Sequence, residues 1–128
     1  MQLKQLEKEG VAVFVLRGEI DMHFSPLLRA TLQENISSRC RALVLDFSAV
    51  RFIDSCGISA ILEYIGNAAE YGGVLCLAAP SEDVQPILEV VRLETVTPIF
   101  GTLDEAVAAV QAGGVTSRLQ PVMTSAPG

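Results

Sequence analysis

The chain has 128 residues, half of them hydrophobic, with nine basic and fifteen acidic side chains and a formal charge of −6. That is enough apolar material for one domain of ordinary size whose core needs neither disulfides nor a structural metal. The acidic balance sets the chain against nucleic acid and anionic membrane surfaces and points to another protein as its partner.

In chain order, Gln2 to Leu6 reads as a weak strand. Lys8-Glu9-Gly10 reads as a hairpin turn, and the apolar run Val11 to Leu16, bounded by Gly10 and Gly18, as a buried strand. Ser25-Pro26 is a helix start, with Ser25 as the cap and Pro26 at the first helical position, and Leu28, Leu32 and Ile36 follow at helical spacing. Ala42 to Phe47 is the next strand. After a loop, Ile58, Ile61, Leu62 and Ile65 mark one face of a second helix, which ends near Gly72-Gly73. Val74 to Ala79 is another apolar strand. Pro80-Ser81 opens a third helix, with Glu82 and Asp83 in its positive first turn and Val84, Ile87, Leu88 and Val91 inward. Pro98-Ile99-Phe100 is a short edge strand. Thr102 and Glu105 form a capping box for a last helix carrying Leu103, Ala106, Val107 and Val110. Phe47, Phe52 and Phe100 are expected in the core. From about Gly113 the chain turns rich in Gly, Ser, Thr and Pro and reads as a disordered tail. Strands alternating with helices predict a single α/β domain over 1–112, with a mixed, mostly parallel sheet of four or five strands and about four helices, followed by a tail over 113–128.

Residue types narrow the chemistry. The only lysines are Lys4 and Lys8, which removes a P-loop or Schiff-base lysine from the body of the fold and excludes a receiver domain. The only histidine is His23, so a site built on several histidines is excluded. Without a G-x-S-x-G elbow, His23 and Ser55 make no triad. Cys40, Cys56 and Cys76 are odd in number and lack CxxC spacing, which argues against disulfides and zinc and suits a reducing cytosol. The N-terminus lacks a signal-peptide run, and no stretch reaches the roughly 18 apolar residues of a membrane span. No cofactor, no metal and no enzymatic activity are expected, and the location is expected to be cytoplasmic.

The informative stretch is Phe47 to Ile58, read as a loop joining a strand to an amphipathic helix. Asp54 and Ser55 sit where the helix begins, and each is a good cap type. Cys56 and Gly57 are small and leave room for something bulky. Ser55 is either a plain cap or a phosphate acceptor: a phosphate there would face a helix N-terminus and add about −1.5 to −2 charges. Asp46, at the end of its strand, reads as a loop or capping group, and Cys56 as a small buried residue or a redox-sensitive thiol.

Four segments then fall together: Gly18-Glu19-Ile20-Asp21, Ser25-Pro26-Leu27-Leu28, Leu45-Asp46-Phe47-Ser48, and Phe52-Ile53-Asp54-Ser55-Cys56-Gly57-Ile58. Their order and spacing over roughly residues 1–112 resemble the STAS domain, specifically the anti-sigma factor antagonists of bacteria. The resemblance implies a non-enzymatic partner-switching module in transcription regulation. Its unphosphorylated form binds an anti-sigma factor that is itself a serine kinase, releasing the sigma factor, and a PP2C-type phosphatase resets the cycle. It also implies that Ser55 is the phosphoacceptor and that Asp21, Asp54, Ser55, Cys56 and Gly57 line the partner-binding face. Cys56 stands where a second Ser or Thr is usual, and Ser59 where a Gly is common. A second reading, from the same resemblance, is a non-phosphorylated STAS subunit of a membrane lipid-transport ATPase assembly. A third is an antagonist-like regulator of another output, such as a cyclase or a biofilm pathway.

Overall fold

The structure, a computed structural model, describes residues 2–113 and 115. A five-stranded sheet holds its strands in sequence order: β1 (Gln2–Lys8), β2 (Val11–Ile20), β3 (Ala42–Ile53), β4 (Val74–Ala78) and β5 (Ile99–Phe100). β1 pairs antiparallel with β2, and the remaining pairs are parallel. Glu9 and Gly10 make the two-residue hairpin turn, both at positive φ (52° and 82°), which matches the twist of the strands they join. The parallel pairs need crossovers, supplied by α1 (Ser25–Ser37), α2 (Ser55–Ala69) and α3 (Gln85–Val90) with a following 3₁₀ turn (Leu93–Thr95). α4 (Leu103–Gln111) closes the chain's regular structure.

Alternation along the strands sorts side chains to two faces. Phe14, Leu16, Leu43, Leu45, Phe47 and Leu77 meet Leu28, Leu32, Ile61, Tyr64 and Leu88 of the first three helices in the larger core. Val11, Val13, Val44, Cys76 and Ala78 face the other way, onto Ala106 and Val107 of α4. Val115 packs against this second cluster. The rest of the expected tail, 116–128 with Gly114, lies outside the described residues.

The fold class agrees with the sequence, but several boundaries do not. β2 does not stop at Leu16; it runs on through Gly18, which takes φ 100°. β3 does not stop at Phe47. It continues to Ile53, so most of the presumed loop is strand. The reason is irregular register. Between the Ala12–Leu43 and Ile20–Ile53 pairs, β3 spends two residues more than β2, with shifts after Val15 and after Gly18. Bulges of this kind break the two-residue alternation, so Ser48 to Ile53 carries no clean strand pattern. Asp46 lies inside β3, buried, and its Oδ1 accepts from the Ser48 N–H at 3.0 Å, satisfying a donor beside the first irregularity. Phe52, expected in the core, is 41% exposed for the same reason.

α3 begins at Gln85 and not at Pro80-Ser81. Glu82 and Asp83 sit in the preceding turn, and Val91 is exposed. The Ser81 hydroxyl is held instead by the Val50 carbonyl at 2.6 Å. At α4 the expected cap is present: Thr102 Oγ1 accepts from Glu105 N–H at 3.1 Å, while Glu105 Oε1 accepts from Gly101 N–H.

Candidate functional site

β2 and β3 end side by side, and the Asp54 N–H donates to the Ile20 carbonyl at 3.1 Å. That bond places Asp21 and Asp54 one residue beyond two paired strand ends. Each aspartate then folds the backbone that follows it. Asp54 Oδ1 accepts from the N–H groups of Cys56 (2.9 Å) and Gly57 (3.1 Å), so Asp54 is the cap of α2. Asp21 Oδ1 accepts from His23 (3.0 Å) and Phe24 (3.1 Å). The sequence assigns the α1 cap to Ser25; the structure places Phe24 at that position with no side-chain cap, Asp21 holding the turn before the helix, while Ser25 is buried.

Capping by Asp54 decides the state of Ser55. Ser55 is the first residue of α2, exposed, and among the described residues its hydroxyl makes no hydrogen bond. It is therefore a presented hydroxyl and not a cap. Two of the N–H groups in the first turn of α2 are already bound by a carboxylate. An oxyanion on Ser55 would stand beside the Asp54 carboxylate at the start of α2.

The small residues behind Ser55 divide in role. Gly57 is buried, and a Cβ there would lie 2.6 Å from Ile20 Cγ2 and 2.8 Å from Ile53 Cγ1. The room that glycine provides is thus taken by the protein's own strand ends, which lets the start of α2 press onto the sheet. Cys56 is half-buried. Two exposed apolar side chains flank the aspartates in the chain: Met22, 64% exposed, directly after Asp21, and Phe52, two residues before Asp54. The site thus combines two half-buried carboxylates, one free hydroxyl and exposed apolar surface. Among the described residues no cluster of three or more His, Cys, Asp or Glu could hold a metal, and no helix is long and apolar enough to cross a membrane.

The STAS domain family model matches residues 2–106. The chain is 33% identical over 112 residues to the anti-sigma-F factor antagonist RsfB of Mycobacterium tuberculosis, covering 85% of this chain and 88% of that protein. Among solved structures it superposes on an anti-sigma factor antagonist from Mycobacterium paratuberculosis with a TM-score of 0.79 at 27% identity, over 86% of this chain and 93% of that one. It superposes on the anti-sigma factor antagonist SpoIIAA in its unphosphorylated form with a TM-score of 0.73 at 25% identity, over 87% and 96% of the two chains.

Proposed function

The chain belongs to the STAS domain family, and from that premise we propose that it is an anti-sigma factor antagonist switched at Ser55. Its unphosphorylated form binds an anti-sigma factor that is a serine kinase. The kinase transfers the γ-phosphoryl group of ATP to the Ser55 oxygen, the hydroxyl proton and ADP leave, and the modified face no longer binds. A PP2C-type phosphatase hydrolyses the ester and returns the hydroxyl. The module itself catalyses no step.

The observation that carries this reading is the division of labour at the start of α2: Asp54 makes the capping bonds, so Ser55 is exposed and uncommitted. Modification there removes no hydrogen bond of the fold. The positive end of a 15-residue helix favours an anion, which keeps the modified protein folded. Docking is another matter. A partner covering Ser55 must take a dianion out of water beside Asp54, and an uncompensated buried charge costs several kcal/mol. A tenfold loss of affinity needs only about 1.4 kcal/mol. In this reading Asp21, Asp54 and Cys56 line the contact, and Gly57 sets the height of the helix end beneath it.

The test is to incubate the protein with ATP and a serine-kinase-type anti-sigma factor encoded in the same genome, and to map the modified residue by mass spectrometry. The expected result is a single phosphate on Ser55, absent in Ser55→Ala. Modification of another residue, with Ser55 untouched, contradicts the proposal.

A further inference from the structure

Six large apolar side chains are exposed among the described residues, and they are not spread evenly. Val90 and Val91 lie at the close of α3. The other four, Met22, Leu27, Phe52 and Leu62, belong to the end of β3 and to the turns and helices that follow β2 and β3. A lone exposed apolar residue is ordinary on a protein surface, so position and support decide whether one carries meaning.

Met22 has both. It follows Asp21 as Ser55 follows Asp54, and the bond from the Asp54 N–H to the Ile20 carbonyl, 3.1 Å, holds the two turns together. Neighbouring strands lie about 4.8 Å apart, so a surface that covers Ser55 also reaches Met22. The turn that displays Met22 is closed twice by Asp21. The carboxylate accepts from the His23 and Phe24 N–H groups, and the carbonyl accepts from Phe24 at 3.1 Å and Ser25 at 2.9 Å. Phe24, from the same turn, enters the larger core. With that ring seated and the backbone closed, the Met22 side chain is held on the outside.

Leu62 lies on the other flank of the hydroxyl. Residues at i, i+4 and i+7 share one face of a helix. Ser55, Ser59 and Leu62 have that spacing and are all exposed, while Ile58, Ile61 and Ile65 are buried. At a rise of about 1.5 Å per residue, Leu62 stands roughly 10 Å along α2 from Ser55. Glu63, next to it, is paired with Arg29 of α1 at 2.7 Å, which ties together the two helices that bear this face.

This inference rests on the reading of Ser55 as the switch. We propose that Met22 and Leu62 are the apolar anchors of the docking face, with Met22 the stronger, and that the serine-kinase anti-sigma factor meets them with an apolar surface. The occupant follows from the site: an enzyme that modifies Ser55 must cover the hydroxyl and the side chains on either side of it. A closed turn presents its side chain at little ordering cost, and the unbranched thioether of Met22 adapts to the surface it meets. Affinity then comes from the two flanks, and Ser55 between them decides whether the flanks can seat.

The test is a calorimetric titration of the full chain and its variants against a serine-kinase-type anti-sigma factor, beside the parent chain phosphorylated at Ser55. Met22→Gln keeps the length of the side chain and removes its apolar end. Its affinity should fall at least about tenfold, and the heat-capacity change of binding should become less negative, because less apolar surface is buried. Met22→Leu should bind within about threefold of the parent, as an apolar side chain of similar volume. Leu62→Gln should weaken binding by a smaller factor than Met22→Gln, and Val90→Ala should bind as the parent does. All four should unfold at the parent's midpoint, since the replaced side chains are exposed. Met22→Gln binding as tightly as the parent, with phosphorylation still weakening the parent, would overturn this inference alone. A parent chain that binds equally with and without phosphate on Ser55 would overturn the reading of the switch and this inference with it. Self-association of the chain through this face, abolished by Met22→Gln, would assign the anchors to a second copy and overturn the proposal as well.

Discussion

The two turns that follow β2 and β3 are built on one plan and end differently. In both, an aspartate just past the strand accepts from the N–H groups two and three residues on, at 2.9 to 3.1 Å. After Asp54 the helix starts at once, and the serine one residue on is exposed. After Asp21 the chain spends a turn on Met22, His23 and Phe24, and the serine four residues on is buried. The spacing from aspartate to serine therefore sets whether a hydroxyl is offered to a partner or absorbed by the fold. Two neighbouring turns with the same aspartate-to-backbone bonding give one candidate switch.

The hardest way to stress this comparison is to spoil the seat of α2. Gly57→Val puts a branched side chain where even a Cβ meets Ile20 and Ile53 within 3 Å. Overpacking of this kind costs about 1–3 kcal/mol, which a urea unfolding midpoint resolves. Gly101→Ala is the contrast: its Cβ would approach only Glu105 Oε1, at 3.4 Å, and the midpoint should barely move.

The caps come next. Asp54→Ala should destabilise by about 1–2 kcal/mol, because the N–H groups it releases at the start of α2 are part-buried. Asp21→Ala should cost less, about 0.5–1 kcal/mol, since the His23 N–H it releases is exposed to water. If the two cost the same, the asymmetry between the turns is wrong. Smaller again is Ser55→Ala, expected within about 0.5 kcal/mol of the parent, because the hydroxyl supports nothing in the fold. A loss well above that would return Ser55 to a capping role.

Away from both turns, a pH effect marks the α4 side of the core. Burial pushes the Cys76 thiol up to about 12 from an ordinary value of 9.0. The folded chain then keeps this proton at pH values where the unfolded chain has lost it. The contribution is complete below pH 9 and is lost as pH rises from 9 toward 12. Nothing is expected at neutral pH. Between pH 9 and 11 the unfolding midpoint should fall, less steeply in Cys76→Ala than in the parent chain.

Much of this was legible before the structure. Glu9-Gly10, the apolar runs at Val11 and Val74, and the Thr102–Glu105 spacing announce their turn, strands and helix because each signal is local. What stayed hidden depends on register and on competition between neighbours. The far half of β3 looked like a loop because two extra residues scramble its alternation. The same irregularity hid the exposure of Phe52. At the start of α2, Asp54 and Ser55 are both good caps, and only backbone geometry decides between them. At Ser25 propensity also misleads: the residue is the first of α1 and buried, Phe24 stands at the cap position, and Asp21 fixes the turn before it.

The most direct measurement compares two forms of the intact protein, one unmodified and one carrying phosphoserine at position 55, titrated calorimetrically against the serine-kinase anti-sigma factor. The account predicts that both forms unfold at closely similar midpoints while the phosphorylated one binds at least about tenfold more weakly. Equal affinities for a partner that binds the unmodified form would contradict it.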